Sequence, residues 1–115
     1  MIRRVLIACR GEMAVRLLSE FATSHVQTVA VYTGEDHDSK HAKLADEAIC
    51  IGMTLKSYYS DWHRIISAAE ITDADAIHIG DSPLAAEERF AEVCSECDIQ
   101  LIGSNAEPDA PANAG

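Results

Sequence analysis

The sequence predicts an α/β fold, namely a single three-layer domain built on a mainly parallel five-stranded sheet. Five short apolar runs alternate with segments in which apolar residues recur at helical spacing, and short loops join them. Strands that alternate with helices are joined by right-handed crossovers, so neighbouring strands run parallel and both faces of the sheet are covered. The length of 115 residues suits one domain with a sizeable core.

The first unit of the chain is a strand followed by a helix. Residues 5–8 form an unbroken apolar run, which is typical of a strand buried on both faces. Gly11 ends this run where a tight turn needs a residue without a Cβ, and helical spacing then continues over residues 11–23. This unit directs the start of the helix towards the carboxyl edge of the sheet, where such folds bind ligands.

The rest of the chain repeats this alternation. Ser39, Ser60 and Ser82 are the predicted N-caps of three further helices, and Pro83 supports the last of them at its first position. Trp62 begins the apolar face of the helix after Ser60 and is the expected core anchor. The other segments are strands at residues 27–33, 48–52, 75–80 and 99–103, an acidic loop at 34–38, a loop at 53–59, a domain end near 107 and a disordered tail at 108–115.

Composition limits the possible partners and the compartment. The formal net charge is −10, from nine basic and nineteen acidic residues, so the chain cannot build the basic face of a nucleic-acid binder or of a protein that binds an anionic membrane. No signal peptide and no run of membrane-spanning length is visible. Two of the four cysteines, Cys9 and Cys50, fall in predicted buried strands, as reduced cytosolic cysteines do, which predicts a cytoplasmic location.

Three generic kinds of site have weak support. Glu35 or Asp36 could hold a ribose, but the glycine fingerprint of a nicotinamide site is missing after the first strand. His37 and His41 are spaced for one helix face without a third zinc ligand, so a solvated pair is expected instead. Cys94 and Cys97 have C-x-x-C spacing at the end of a helix, not at its start, which disfavours redox chemistry.

A phosphoacceptor receiver domain also has five alternating units in about this length. Its chemistry requires paired acids after the first strand, an aspartate ending the third and a lysine ending the fifth. The chain has Cys9 and Arg10, Gly52, and Gly103 at those places, so this alternative fails on its residues.

Several stretches keep a shared order over residues 2–107. The stretches, each with the pattern that it matches, are Ile7-Ala8-Cys9-Arg10-Gly11-Glu12, continued by Ala14-Val15-Arg16, with I-A-N-R-G-E, Lys40-His41 and Ala45-Asp46-Glu47 with K-H-x-x-x-A-D-E, Ile51-Gly52 and Ser57-Tyr58 with I-G-x-x-x-x-x-S-Y, residues 69–78 with A-x-x-x-x-A-x-A-I-H, and Ile102-Gly103 and Ala106-Glu107 with I-G-P-x-x-E. Together they resemble biotin carboxylases, with the family's spacing except that Gly52 and Ser57 stand one residue closer here.

The resemblance implies that residues 1–107 correspond to the family's N-terminal domain, the Rossmann-like layer of pre-ATP-grasp type. It places five residues at family motif positions, where a structural role is as easy to assign as a functional one. These are Arg10, Gly11, Glu12, Lys40 and His41.

The family's glycine loop usually reads H-P-G-Y-G-F-L-S-E-N, and here residues 78–87 depart from it. His78, Gly80, Asp81 and Ser82 match positions at the rim of the family's active site, but Asp81 and Ser82 replace the tyrosine and the second glycine. We expect a capped helix that starts at Pro83, with a negative charge at its mouth that repels phosphate. No catalytic residue and no metal ligand is assigned to this chain.

The outer face of the first helix matches the family's dimer interface. It carries Arg16, Ser19, Glu20 and Thr23, and here Ser19 and Thr23 stand where the family often has an arginine and a glutamate. Arg16 is then left with weak ion pairs to Glu12 and Glu20 on its own helix, so a monomer or a weak homodimer is expected.

The resemblance implies a component of an ATP-dependent biotin carboxylation system, of acyl-CoA or pyruvate carboxylase type, that needs an ATP-grasp partner for activity. ATP, Mg and biotin are implied for the full family enzyme, and none is expected to bind this chain alone. The implied partner is an ATP-grasp or biotin-carrier carboxylase subunit. The alternative is a non-catalytic module for protein binding or regulation that descends from the same family.

Overall fold

The centre of the protein is a parallel five-stranded sheet. The computed structural model describes residues 2–36, 40–53, 62–80 and 82–103. The strands are β1 (Arg4–Ile7), β2 (Gln27–Thr33), β3 (Glu47–Gly52), β4 (Ala76–His78) and β5 (Gln100–Ile102). Their order across the sheet is β3-β2-β1-β4-β5, and every neighbouring pair is parallel. The predicted α/β fold with a parallel sheet is confirmed.

Helices cover both faces of this sheet. They are α1 (Gly11–Phe21), α2 (Lys40–Leu44), α3 (Trp62–Ile71) and α4 (Glu88–Glu96), with short 3-10 turns at Gly34–Asp36 and Pro83–Ala86. Leu6 packs into the larger core cluster with residues of α3 and α4, whereas Val5 and Ile7 pack on the other face against α1. Side chains alternate between faces along a strand, so burial of all three confirms that β1 is a central strand.

The amino ends of β1 and β4 are tied by Asp75. Its carboxylate accepts hydrogen bonds from the backbone N–H groups of Arg3 (3.0 Å) and Arg4 (3.1 Å). Partial burial alone would raise the pKa of Asp75, but these two bonds outweigh it and the pKa is lowered. A negative charge is therefore favoured at this position in the folded protein.

The helix predicted to start at Pro83 is divided in two. A 3-10 turn ends at Ala86, Glu87 is extended (φ −97°, ψ 101°), and α4 begins at Glu88. Leu84 and Phe90 are both buried in the same core cluster. Six residues apart in one continuous helix they would point roughly 120° away from each other, so the break at Glu87 lets both reach the core.

Burial differs from expectation at the sheet edge. Cys50 is exposed, although an apolar run predicted a buried strand around it. The reason is that β3 is an edge strand, in which Ile49 and Ile51 face the core while Cys50 points to the uncovered side. Trp62, by contrast, is buried as predicted and meets Phe90 edge to face at 5.8 Å between ring centroids.

Some predictions fall outside the described residues. These are the caps at Ser39 and Ser60, the histidine at position 37, the loop at 54–59, Asp81 and the tail at 108–115. Of the predicted acidic loop, residues 34–36 form the 3-10 turn. No helix in the described part is long and apolar enough to cross a bilayer.

Candidate functional site

The turn from β1 into α1 forms one side of the carboxyl edge of the sheet. Ala8 donates its N–H to the carbonyl of His78 at 2.8 Å, which continues the pairing of β1 with β4 beyond the strands. Gly11 has φ +73°, a left-handed conformation that favours glycine, and α1 begins at that residue. Arg10 is the N-cap of α1, and its side chain makes no capping hydrogen bond. The first-turn N–H groups therefore receive no cap from Arg10.

The exit from β4 lies directly against this turn. Gly80 has φ +57°, and a Cβ built on it would lie 2.7 Å from Sγ of Cys9, so only a glycine fits here without movement. The strand order reverses between β1 and β4, and such switch points are the usual ligand crevice of open α/β sheets. In this protein Cys9 and Gly80 lie close together at that position.

Hydrogen bonds within the β4 exit occupy its backbone donors. Gly80 donates its N–H to Nδ1 of His78 at 3.0 Å, so Nδ1 is the unprotonated ring nitrogen. Leu84 donates its N–H to the hydroxyl of Ser82 at 3.2 Å, which confirms the predicted cap of the turn that follows. Asp81 lies outside the described residues, so its effect on anions stays a prediction.

A cavity of about 500 Å³ lies between the start of α1 and α2. It brings together all five residues that match family motif positions, along with Val15 and Arg16 of α1. Its lining residues are Arg10, Gly11, Glu12, Val15, Arg16, Lys40 and His41. His78, Gly80 and Ser82 do not line it, so the structure separates the candidate residues into two groups. Periodicity along one helix could not have paired Val15 and Arg16 with α2.

His41 is a buried wall of this cavity. Its side chain is 1% exposed, and Nε2 lies 2.9 Å from the carbonyl oxygen of Val31, to which it donates. The expected solvated histidine is therefore wrong for position 41, because α2 folds back over β2 and the ring satisfies a strand carbonyl. No group of three or more metal-ligating side chains occurs in the described part of the chain.

The outer face of α1 is exposed. Arg16, Ser19, Glu20 and Thr23 are all exposed, and their place in an interface stays a prediction. Thr23 donates its hydroxyl hydrogen to the carbonyl of Glu20 at 3.1 Å. The expected pairs of Arg16 with Glu12 and Glu20 are absent from the ion pairs of the described residues.

The C-x-x-C pair lies at the end of α4, as predicted. Cys94 is fully buried, and burial raises the pKa of its thiol to about 12. The pKa of Cys97 is also raised, first by desolvation and then by a hydrogen bond with Glu70. Both sulfurs therefore remain thiols at neutral pH and are poor nucleophiles.

Thr33 is a buried polar residue that sequence reasoning missed. It ends β2 at the carboxyl edge with 0% exposure, and its Oγ1 has no hydrogen-bond partner among the residues that the structure describes. Threonine is common at strand ends, so the sequence holds no signal for an unsatisfied hydroxyl here.

Comparison with known proteins places this geometry among longer enzymes. The family model described as biotin carboxylase, N-terminal domain, matches residues 1–108. Biotin carboxylase 1 of Bacillus subtilis is 43% identical over 93% of this chain, and pyruvate carboxylase of Staphylococcus aureus is 39% identical over 92%. The crystal structure of the biotin carboxylase-β,γ-ATP complex from Campylobacter jejuni superposes with a TM-score of 0.84 at 38% identity over 88% of this chain. This chain spans 24%, 9% and 23% of those three chains, respectively.

Proposed function

The chain belongs to the biotin carboxylase N-terminal domain family, and from this premise we propose that it works within an ATP-dependent biotin carboxylation system of acyl-CoA or pyruvate carboxylase type. The observation that carries the proposal is the match over residues 1–108 together with the same fold in solved biotin carboxylases. This chain spans only 24% of biotin carboxylase 1 and 9% of the pyruvate carboxylase, so the chemistry is assigned to an ATP-grasp partner or to a biotin-carrier subunit. We place this system in the cytoplasm, where the buried thiols of Cys9 and Cys94 stay reduced.

We infer that ATP, Mg and biotin are held by the partner and not by this chain alone. Mg²⁺ prefers carboxylate oxygens, and the described part holds no cluster of three or more acidic or other ligating side chains. Cys9 also lies close against Gly80 at the switch point between β1 and β4. No catalytic step is therefore assigned to a residue of this chain, which instead supports the active-site rim of its partner.

The β4 exit contributes to that rim through its shape and not through the N–H groups of Gly80 and Leu84. A glycine-rich loop can offer free N–H groups to an anion, but here those of Gly80 and Leu84 are donated to His78 and Ser82. This observation favours the second candidate function, in which the domain binds a protein partner and leaves the ligand contacts to it.

Reconstitution tests the proposal. The purified chain would be mixed with the remainder of a related biotin carboxylase from which the N-terminal domain has been removed, and bicarbonate-dependent ATP hydrolysis would be measured with free biotin. We expect turnover from the mixture and none from either piece. Turnover by this chain alone would refute the assignment of chemistry to the partner. A complex that forms without turnover would favour the second candidate function. If neither a complex nor turnover were observed, both candidate functions would be contradicted.

We also propose that the chain is a monomer or a weak homodimer. Reciprocal arginine–carboxylate pairs hold an isologous contact together, and Ser19 and Thr23 cannot supply them. The net charge of −10 adds repulsion between copies. Sedimentation equilibrium is expected to show mainly monomer at micromolar concentration. A stable dimer that dissociates on Arg16→Glu would contradict this.

A further inference from the structure

The cavity between α1 and α2 has no part in the proposed function, and we propose that it binds a small organic phosphate, specifically a phosphate monoester. The proposal concerns side chains of this chain alone, and it stands whether or not an ATP-grasp partner exists. It also differs in place from the β4 exit, whose residues do not line this cavity.

The charge of the lining is opposite to that of the whole protein. The chain has nine Lys and Arg residues, and three of them, Arg10, Arg16 and Lys40, line this one cavity. Glu12 is the acidic residue among the described lining residues, which leaves a formal charge of +2 on the wall. A phosphate monoester carries about −1.5 to −2 at neutral pH, whereas a monocarboxylate carries about −1. A phosphate monoester therefore matches the wall charge better.

The donors approach the cavity from two elements. Arg16 lies on α1 and Lys40 begins α2, both side chains are exposed, and neither belongs to an ion pair of the described residues. A guanidinium can bind two phosphate oxygens at once, and a lysine adds a point charge. Gly11 and Glu12 also line the cavity in the first turn of α1, which receives no side-chain cap from Arg10. The dipole of α1 adds to the attraction.

The size of the cavity indicates an ester and not a bare ion. Pockets for small organic ligands are roughly 300–1,000 Å³, and this cavity is about 500 Å³. Val15 gives it an apolar wall, against which the organic part of a monoester can pack.

Nuclear magnetic resonance on the ¹⁵N-labelled 115-residue chain tests the site. Phenyl phosphate is the probe, benzoate is the matched carboxylate, and ionic strength is held constant throughout. We expect saturable shifts of the amides of Gly11, Glu12 and Lys40, with a dissociation constant of about 1 mM or below for phenyl phosphate. Benzoate should bind about tenfold more weakly, because it carries half the charge and cannot engage both cationic walls. The amide of Gly80 should not move.

Variants assign the binding to the cavity. Arg16→Gln and Lys40→Gln should each weaken binding of phenyl phosphate about tenfold. Arg89→Gln is the control, because Arg89 lies on α4 and pairs with Glu92 at 3.0 Å. Arg16→Lys keeps the charge but not the two-pronged geometry, so its loss should be intermediate, and circular dichroism checks that each variant is folded.

Several results would overturn the proposal. They are equal affinity for benzoate and phenyl phosphate, the absence of saturable shifts with phenyl phosphate, and an unchanged affinity in both Arg16→Gln and Lys40→Gln. Saturation by an acidic peptide but by no small phosphate would show that the cavity is a protein-docking surface instead.

Discussion

The substitution Thr33→Val removes a buried polar atom at the end of β2. Thr33 is 0% exposed and its Oγ1 has no partner within the described part of the chain, so we expect the folded state to bear the desolvation of a hydroxyl without a compensating hydrogen bond. That cost is about 1–3 kcal/mol. Valine has nearly the same shape, favours strands and adds a buried methyl group. We therefore expect the free energy of unfolding to rise by about 1 kcal/mol, which corresponds to roughly 4 °C in Tm for a domain of this size.

The same strand supplies a matched control. Thr28 is also buried at 5% exposure, but its Oγ1 accepts the N–H of Asp46 at 3.1 Å and donates to the carboxylate of Asp46 at 3.3 Å. Thr28→Val loses both bonds and should destabilise the protein by about 1–2 kcal/mol. Urea unfolding followed by circular dichroism, at unchanged m-value, measures both variants. If Thr33→Val were as destabilising as Thr28→Val, the reasoning from the unsatisfied hydroxyl would be refuted.

Three further predictions concern other contacts. Gly80→Ala should lower the free energy of unfolding by about 2 kcal/mol. Cys9→Ala should restore part of this loss, because it removes the clash with Sγ of Cys9 while the strain of φ +57° remains. A double-mutant cycle of unfolding free energies measures the coupling, and the absence of coupling would contradict the prediction. The pKa of Asp75 is lower in the folded than in the unfolded chain, so its contribution to stability is present above the unfolded pKa, near 3.8, and is lost as the pH falls through the folded pKa. In Asp75→Asn the stability should therefore fall less steeply with decreasing pH. An acid-unfolding profile equal to that of the original protein would contradict this. Cys50 is exposed and should react with a thiol reagent at neutral pH, while the buried Cys94 should not react. Mass spectrometry of the labelled native protein identifies the modified residue. Labelling of Cys94 before Cys50 would be inconsistent with the raised pKa of Cys94.

Features set by local pattern were predictable from the sequence. The apolar run through Leu6 predicted a central strand, because residues that are apolar on both sides of a strand need cover on both faces. The bounds of β2 are those predicted, Gln27–Thr33. The cap by Ser82 was predictable as well, since a serine before a proline satisfies an N–H two residues on.

Features set by tertiary placement were not predictable. Cys50 has apolar neighbours whether its strand is central or at an edge, and only the strand order decides which face is covered. The break before α4 lets Leu84 and Phe90 both reach the core, because in one continuous helix the two side chains would not lie on the same face. The cavity was also not predictable. Motif matches indicated Arg10 and Lys40 separately, but only the packing of α2 beside α1 shows that they line the same cavity.

The position of β1 in the sheet has a consequence for the order of folding. One neighbour, β2, follows it closely in sequence, but Arg4 and Asp75 are 71 residues apart, and β4 pairs with β1 only after most of the chain has been made. During synthesis, β1–β3 can associate while one edge of β1 stays unpaired and Leu6 lacks its cover from α3 and α4. Pairing of β4 with β1 therefore carries the largest loop-closure entropy of the strand pairs in the sheet, and it covers apolar surface that stays exposed until β4 has been made.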